Sequence, residues 1–459
     1  MPPRFNHAAR CVATIMSMLR IVLSKLVGER SRDAAIREPR EETGLSAILR
    51  GELWRETRMR FLGVPIWILA VLFSGAGCVR HFTAQPSVSA KPLTFILVSA
   101  GQDHTCGLDN AGYAYCWGSN SDGQLGFGAA DKLPHPKPSQ VAGRIRFRSV
   151  SAGSRHTCAL TDEGAAYCWG ANDFGQLGDG SRTPSATAVA VTGKLILASL
   201  SAGATHTCGV TTSGDTYCWG GNWHGQLGNG SMDGEQRYAC CHTRPARVVG
   251  AAFSQVTAGG VHTCALTKTG RAYCWGIANY GRLGVGDIQA ADLPTPTAVT
   301  GSLEFLSINP GGFYTCALAK TKAAYCWGAG TDGQLSNGVS VAEQSVPLAV
   351  SGTLRFMVIA AGSSHTCSIT TDGSVYCWGA NRFGQIGDGS TETRYAPTAV
   401  SPERKFKSIS AGGNDFSGHT CGITTDNKTL CWGDNRLGQL GNGSTTASAI
   451  PMLVVNEGK

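Results

Sequence analysis

Cysteine and histidine recur together along the chain in an arrangement that could bind a metal or form disulfides. Seven segments contain two cysteines ten residues apart, and in six of them a histidine lies two residues before the first cysteine. Zinc prefers thiolate and imidazole ligands, but His156, Cys158 and Cys168 would supply only three of the four that a structural site needs. In the fifth segment Tyr314 replaces the histidine. We therefore expect no metal, and we interpret the histidines as structural hydrogen-bonding groups.

The cysteine pairs lie in segments that have the pattern of a β-hairpin. In the second segment, residues 157–161 and 165–169 alternate as half-buried strands do, which leaves residues 162–164 as a three-residue loop. In this register Cys158 lies opposite Cys168 in a non-hydrogen-bonded pair. The α-carbons of such a pair are about 4.5 Å apart, within disulfide range.

The same ten-residue offset recurs in every segment and predicts one disulfide in each. The predicted bridges are Cys106–Cys116, Cys158–Cys168, Cys208–Cys218, Cys264–Cys274, Cys316–Cys326, Cys367–Cys377 and Cys421–Cys431. Closing such a short loop should stabilise each unit by roughly 3 kcal/mol on the chain-entropy model. Disulfides in this number indicate an oxidising compartment.

The hairpin loop needs a left-handed conformation at its third position, which glycine adopts without steric cost. Glycine occupies that position in five segments, and Asn427, the next most tolerant type, occupies it in the seventh. The fifth segment has Lys322 there. We expect a different or strained turn in that segment.

The hairpins belong to a longer repeat. Each C-W-G motif supplies one tryptophan, at Trp117, Trp169, Trp219, Trp275, Trp327, Trp378 and Trp432, and successive tryptophans are 50 to 56 residues apart. A fixed period of this length, rich in glycine, β-branched and aromatic residues, is typical of β-propeller blades. We expect these tryptophans to form the core of each blade and to pack against the next one.

Residues 202–228 contain A-G-x-x-H-T, an aromatic residue near W-G, and N-x-x-G-Q-L-G. In these motifs the chain resembles the regulator of chromosome condensation repeat family, over residues 86–455. The resemblance implies an all-β, seven-bladed propeller. The paired cysteines are a departure, because intracellular members usually have apolar residues there. Residues 86–99 also resemble residues 138–151, so we expect the N-terminal part to supply a strand to the last blade and close the ring.

The N-terminal part shows no repeat. Residues 1–58 form a charged extension that is either disordered or an incorrectly assigned start, with translation beginning at Met59. Residues 59–78 have the layout of a secretory signal, with one apolar helix, and residues 79–92 form a tether to the propeller at 93–459. Cys78 resembles the lipid-attachment cysteine of bacterial lipoproteins. Ordinary cleavage before it and an uncleaved anchor remain alternatives.

Charge argues against nucleic-acid binding. The chain has a formal net charge of +8, but residues 93–459 contain 25 Lys and Arg against 24 Asp and Glu. A nucleic-acid-binding domain usually shows a basic stripe, and none is visible in the sequence. Residues 28–45 are similar to the central motif of Nudix hydrolases. However, Pro39 occupies a helix position there, so we expect no working site.

Two insertions mark a candidate partner surface. The first, residues 232–244, contains Tyr238, His242 and Arg244 beside the adjacent cysteines 240 and 241, which could form a vicinal bridge, remain free or pair between chains. The second, residues 413–418, contains Asp415 and Phe416. Loops of a rigid scaffold commonly carry recognition. We add Trp223 and His224, which lie in the same repeat as the first insertion.

The sequence shows no arrangement of nucleophile, base and acid and no phosphate-binding loop. We predict a non-enzymatic, cofactor-free and monomeric propeller that is exported to the cell envelope or secreted, and that binds a protein or surface glycan through blade loops. The membrane would be reached through the lipid anchor or the apolar segment. The resemblance implies a guanine-nucleotide exchange factor as an alternative, and an extracytoplasmic enzyme inhibitor as another, because a β-lactamase-inhibiting propeller belongs to the family.

Overall fold

The computed structural model describes residues 93–233, 241–414 and 417–455. Several predicted features lie outside these ranges, namely the extension, the signal segment with its apolar helix, Cys78, the tether, Tyr238, Cys240, Asp415 and Phe416. Within the described ranges, no helix has the length and apolar character that crossing a bilayer requires.

The described residues form 28 β-strands in seven antiparallel sheets, and each sheet contains four strands that are consecutive in the chain. The first two sheets are β1 (Phe95–Ala100), β2 (His104–Asp109), β3 (Ala114–Gly118), β4 (His135–Gln140), and β5 (Ser149–Ala152), β6 (His156–Leu160), β7 (Ala166–Gly170), β8 (Ser185–Ala190). The third and fourth are β9 (Leu197–Ala202), β10 (His206–Thr211), β11 (Thr216–Gly221), β12 (Cys241–Arg247), and β13 (Gln255–Ala258), β14 (His262–Leu266), β15 (Ala272–Gly276), β16 (Leu293–Ala298).

The fifth and sixth sheets are β17 (Phe305–Pro310), β18 (Tyr314–Ala319), β19 (Ala324–Ala329), β20 (Glu343–Ala349), and β21 (Phe356–Ala361), β22 (His365–Thr370), β23 (Val375–Gly379), β24 (Arg394–Val400). The seventh is β25 (Phe406–Gly413), β26 (Gly418–Thr424), β27 (Thr429–Gly433), β28 (Ser448–Leu453), and one 3-10 helix spans Asn279–Gly281. The predicted seven-bladed β-propeller is confirmed.

The ring closes differently from the prediction. The fourth strand of the last blade is β28, which pairs with β27, whereas β1 pairs with β2 in the first blade. The backbone of Ala100 in β1 then donates to the Ser410 hydroxyl of β25 at 2.9 Å, so the first and last blades meet through their innermost strands. The prediction that an N-terminal strand completes the last blade is therefore wrong, because β28 occupies that position among the described residues.

Strand order defines two faces of the propeller. The upper face carries the turns between the first and second strands and the long loops between the third and fourth strands of each blade. The lower face carries the turns between the second and third strands and the connections from one blade to the next. Residues 232 and 233 of the first insertion, and residues 413 and 414 of the second, lie on the upper face.

The predicted hairpin register is confirmed in all seven blades. In the second blade Cys158 is paired directly with Cys168, and every such pair is joined by a disulfide with an α-carbon separation of 4.1 Å. The third loop position has positive φ throughout, including Lys322 at 65° and Asn427 at 65°. The Lys322 turn retains the hydrogen bond from its N–H to Ala319 that Gly164 makes to Thr161, so it is the same turn under backbone strain, not a different one.

The blades are joined by a repeated network of buried polar groups. The His156 ring nitrogen Nε2 lies 2.9 Å from the Thr207 hydroxyl of the next blade. That hydroxyl donates to the Gln176 carbonyl at 2.9 Å, so it accepts the Nε2 proton of the histidine. The Trp219 indole donates to the same carbonyl at 3.0 Å. All these side chains are buried, and one backbone carbonyl on the upper-face loop therefore fixes both a threonine and a tryptophan of the following blade.

The network runs around the whole ring, because His419 of the last blade reaches Thr105 of the first at 2.8 Å. At the fifth position Tyr314 replaces histidine, and its hydroxyl donates either to the His365 carbonyl at 2.6 Å or to the Thr366 hydroxyl at 2.8 Å. The interpretation of the histidines as structural groups is consistent with these contacts. They are not arranged as metal ligands, and the described residues contain no group of three or more His, Cys, Asp or Glu that could hold a metal.

The buried histidines predict that the protein loses stability in acid. Burial lowers the pKa of His104, His156 and His365 to about 3, and that of His206 and His419 to about 4. In the unfolded chain the pKa of each histidine is about 6.5, so the unfolded state binds protons before the folded state does as the pH falls. The contribution of the neutral rings to the free energy of unfolding is therefore complete above pH 6.5. It declines progressively toward pH 4, by up to about 1.4 kcal/mol per histidine and pH unit.

Urea unfolding at a series of pH values between 8 and 4.5 measures this decline. The variant His135→Gln should keep the decline, since the partly buried His135 ring contacts Asp131 and lies outside the network. A free energy of unfolding that stays constant from pH 7 to 5 would contradict a neutral, buried histidine ring.

The strained turn at Lys322 leads us to predict that glycine at this position stabilises the protein. Its positive φ is unfavourable for a residue with a Cβ, so Lys322→Gly should raise the free energy of unfolding by about 0.5–1 kcal/mol. The reverse change, Gly164→Lys, should lower it by more than that amount, because an added Cβ at a φ of 84° would also lie 2.8 Å from the Leu197 carbonyl oxygen. Chemical denaturation of both variants tests the pair, and a neutral or destabilising Lys322→Gly would show that this lysine is not under strain.

Candidate partner-binding face

The upper-face loops are held rigid by the N-x-x-G-Q-L-G motif. The Asn172 side chain accepts from the Leu177 N–H at 3.0 Å and donates to the Thr183 carbonyl at 3.0 Å. At Gly178, which has a φ of 69°, an added Cβ would lie 2.7 Å from the Trp219 indole nitrogen. These contacts leave the two residues between Asn and the first Gly as the variable, solvent-facing part of each loop.

The variable positions place aromatic side chains on the upper face. Phe174 of the second blade packs edge-on against Trp223 of the third, with ring centroids 4.6 Å apart and planes at 81°. Trp223 also covers Gly221, where a Cβ would lie only 2.6 Å from the indole. Both rings are partly exposed. Trp223 is thus an aromatic anchor that two blades hold in one orientation.

A second aromatic cluster lies between the fourth and fifth blades. Tyr280 and Phe313 meet at right angles with centroids 5.8 Å apart. The buried Arg282 guanidinium lies 5.4 Å from the Tyr280 centroid and 4.9 Å from the Phe313 centroid. Such cation–π contacts stabilise both rings. Tyr280 itself is 43% exposed and is the most accessible aromatic ring of the cluster.

A third cluster joins the sixth, seventh and first blades. The Arg436 guanidinium lies 4.7 Å from the Phe383 centroid and donates to the Asp434 carboxylate at 2.8 Å. Burial opposes ionisation of Asp434, yet the hydrogen bonds from Arg436 hold its pKa below the ordinary range. Burial raises the pKa of neighbouring Asp103, with the Asp434 carboxylate adding to the effect. Adjacent carboxyls therefore differ in how readily they ionise.

The predicted residues of the first insertion that the structure describes are on this face or beside it. His224 lies 2.6 Å from the Asp292 carboxylate, and His242 lies 3.3 Å from that of Asp233. Cys241 participates in a disulfide, so it is not a free thiol. Arg244 is farther along the outer strand β12, where its guanidinium faces the Gly180 loop of the second blade. Trp223 and His224 therefore lie on the upper face of the third blade, with Trp223 toward the second blade and His224 toward the fourth.

The second insertion borders the central channel. Its described residues Gly413 and Asn414 line a cavity of about 320 Å³ at the upper end of the axis, together with the Ala-Gly turns of the other blades. The cavity wall is mostly small side chains and backbone, with Gln102 and Ser154 among its few polar groups. Such a wall offers hydrogen bonds but no charged group for acid–base chemistry.

Sequence reasoning missed Phe174, Tyr280, Phe313 and Phe383. A usable signal was present, because these residues occupy the non-repeating positions of motifs that otherwise recur. A position that varies inside an invariant turn is free of the turn's own constraints. It is therefore where a repeat protein can place side chains for a partner.

Comparison with known proteins agrees with the fold. The sequence-family model of the RCC1-like domain matches residues 75–358, and that of the regulator of chromosome condensation (RCC1) repeat matches residues 359–385. The chain belongs to the RCC1-like family. It is 30% identical over 379 residues to the ultraviolet-B receptor UVR8 of Arabidopsis thaliana, covering 81% of this chain and 84% of that protein.

Other RCC1-like relatives are larger or more distant. The probable E3 ubiquitin-protein ligase HERC4 of Mus musculus is 34% identical over 355 residues, covering 74% of this chain but only 32% of HERC4. Yeast RCC1 (Prp20), solved with Kap60, has a TM-score of 0.64 and 21% identity, covering 80% of this chain and 86% of that one. Human WBSCR16 has a TM-score of 0.61 and 23% identity, and the match covers 69% of this chain and 84% of WBSCR16. These two structures support the fold alone.

The contact between Phe174 and Trp223 can be measured. Phe174→Ala removes one wall of the Trp223 site, so acrylamide should quench more of the tryptophan fluorescence, while stability changes by no more than about 1 kcal/mol at this partly exposed position. Phe383→Ala is the matched control, because Phe383 contacts Arg436 and no tryptophan. In a Trp223→Phe background the difference should vanish. Equal quenching in Phe174→Ala and wild type would contradict the packing.

Proposed function

We propose that this RCC1-like propeller is exported and binds a protein or surface glycan through its upper face. The observation that carries the proposal is the placement of fixed aromatic clusters on the same face as residues 232, 233, 413 and 414 of the two insertions. Tryptophan, tyrosine and arginine dominate the binding energy of most interfaces, and the two aromatic types bury a large area while losing few rotatable bonds. Trp223 and Tyr280 are already held by neighbouring rings, which lowers the entropy cost of binding further.

The proposed role is that of a binding scaffold, not of an enzyme. The most prominent charged groups of the face are committed to one another, as in Arg155 with Asp122 and Arg436 with Asp434. Groups arranged in this way orient a surface and select a partner by charge. The relatives support a scaffold role as well. The region of HERC4 that matches this chain is only 32% of that ligase, and yeast Prp20p was characterised for its binding to Gsp1p and histones.

Export is supported by the seven buried disulfides, which would be reduced in an ordinary cytosol. We propose that residues 59–78 direct export and that Cys78 carries the lipid anchor. The upper face would then act in the cell envelope. Of the two alternatives, nucleotide exchange on a small GTPase needs a cytosolic partner, and inhibition of an extracytoplasmic enzyme is one form of the proposed binding.

The proposal predicts that upper-face aromatics determine partner capture. The double variant Trp223→Ser/Tyr280→Ser should bind the partner isolated from the cell envelope at least about tenfold more weakly than wild type, as expected for the loss of two central aromatic side chains. The matched control is Ile196→Ser/Val249→Ser, which changes two exposed apolar residues of the lower face. Affinity is measured with the purified partner after cross-linked capture by the wild-type chain.

The identity of the captured molecule separates the alternatives. A small GTPase whose nucleotide is released by substoichiometric propeller would establish exchange activity in place of the proposed role. An enzyme whose activity falls on binding would establish inhibition. Equal binding by both double variants would overturn the assignment of the upper face.

A further inference from the structure

The lower face differs from the upper face in charge. Among the described residues, the lower face carries fourteen Lys and Arg against eight Asp and Glu, whereas the upper face carries seven against thirteen. Lys137 and Arg244, on outer strands, belong to neither. The nearly neutral composition of the propeller therefore conceals two faces of opposite sign. The basic patch that was not visible in the linear sequence is present in three dimensions.

The lower-face cations are largely uncompensated. Thirteen of the fourteen are exposed, and five of the fourteen pair with a lower-face carboxylate within 4 Å, as Lys320 does with Glu304. The remaining nine have no ion pair within the described ranges. They are spread around the ring, from Arg144 after the first blade to Lys407 in the last. A positive field of this extent attracts anions over a broad, flat area and not at one pocket.

Apolar side chains lie at the centre of this basic face. Ile96, Leu306 and Met357 are the second residues of three innermost strands, and their exposed fractions are 55%, 52% and 49%. The innermost strands of neighbouring blades lie side by side around the axis, as the bond from Ala152 of β5 to Ser99 of β1 shows. Lys407 has the equivalent position in the last blade. Arg148 has it in the second blade, so the three half-exposed aliphatic groups lie near the lower mouth of the channel beside these two cations.

We propose that the lower face docks on the surface of an anionic lipid bilayer. Its cations would contact phosphate headgroups, and the aliphatic side chains near the axis would enter the boundary between headgroups and acyl chains. A bilayer surface can satisfy both kinds of side chain, because its anionic headgroups lie over an apolar interior. An acidic protein or a nucleic acid would use the cations but gain little from the aliphatic centre.

The path of the chain agrees with this orientation. The described chain enters the propeller at the lower face, because β1 starts there with Phe95, directly before Ile96. A bilayer against the lower face would leave the upper face directed toward solution. Docking of the lower face is independent of any partner at the upper face and of lipidation at Cys78.

Vesicle binding by the full chain tests the proposal. Partitioning is measured by sedimentation with vesicles of phosphatidylcholine alone and of phosphatidylcholine with phosphatidylglycerol, at low and raised ionic strength. The lower-face variant Lys268→Glu/Arg271→Glu/Arg355→Glu/Lys407→Glu should lose at least about tenfold of the preference for anionic vesicles. The control Lys132→Glu/Lys137→Glu/Arg244→Glu/Arg382→Glu makes the same change in net charge elsewhere and should stay within about twofold of wild type. Residues 1–92 are identical in both, so their contribution cancels.

A second pair of variants tests the role of the aliphatic side chains. Ile96→Ser/Leu306→Ser/Met357→Ser should weaken the binding that survives raised ionic strength, whereas Leu133→Ser/Met232→Ser/Val339→Ser, on the upper face, should not. Equal losses in the two charge variants, or no preference of wild type for anionic vesicles, would overturn the proposal. So would binding of duplex DNA or polyglutamate that depends on the lower face while anionic vesicles remain unbound.

Discussion

The buried disulfide of each blade is the constraint on which the rest of this propeller depends. It joins the two central strands of one sheet and also forms part of the packing between sheets. The Cys106 sulfur lies 3.7 Å from the Thr157 hydroxyl of the next blade, and Cys106 shares a core cluster with that blade's Trp169. Thr157 in turn receives the His104 proton and donates to a loop carbonyl. One covalent bond therefore fixes the hairpin that supports both the interblade hydrogen bonds and the aromatic core.

This arrangement explains how the two faces can differ so strongly. The hairpins, tryptophans and threonines that define the ring are buried and repeat with little change. The loops above and the turns below are fixed in position by that ring but contribute little to it. Their side chains are free to vary, and they have diverged in opposite directions. The upper face has acquired aromatic clusters, two of which contain an arginine, and the lower face has acquired an excess of cations beside aliphatic side chains near the axis.

The sequence was sufficient to predict the blades because its constraints are local. The ten-residue cysteine offset, the glycine at the third loop position and the C-W-G period specify one hairpin register, which the structure reproduces. Lys322 shows that the register dominates over side-chain preference, since the lysine adopts the strained turn. Ring closure by β28 was not predicted, because the likeness between residues 86–99 and 138–151 does not determine which strand pairs with β27. Trp223 was predicted from its position, but its contact with Phe174 and the segregation of charge depend on neighbours about 50 residues away.

The oxidation state of the fourteen blade cysteines in protein taken from its native compartment tests the central claim most directly. The protein is denatured in excess iodoacetamide without reductant, and its intact mass is compared with that of a sample reduced before alkylation. The account predicts that these cysteines are alkylated only after reduction, and peptide mapping should then recover each pair at its ten-residue spacing. Alkylation of the blade cysteines without reductant would contradict it, because the hairpins would then be held by packing alone and the case for export would lose its main support.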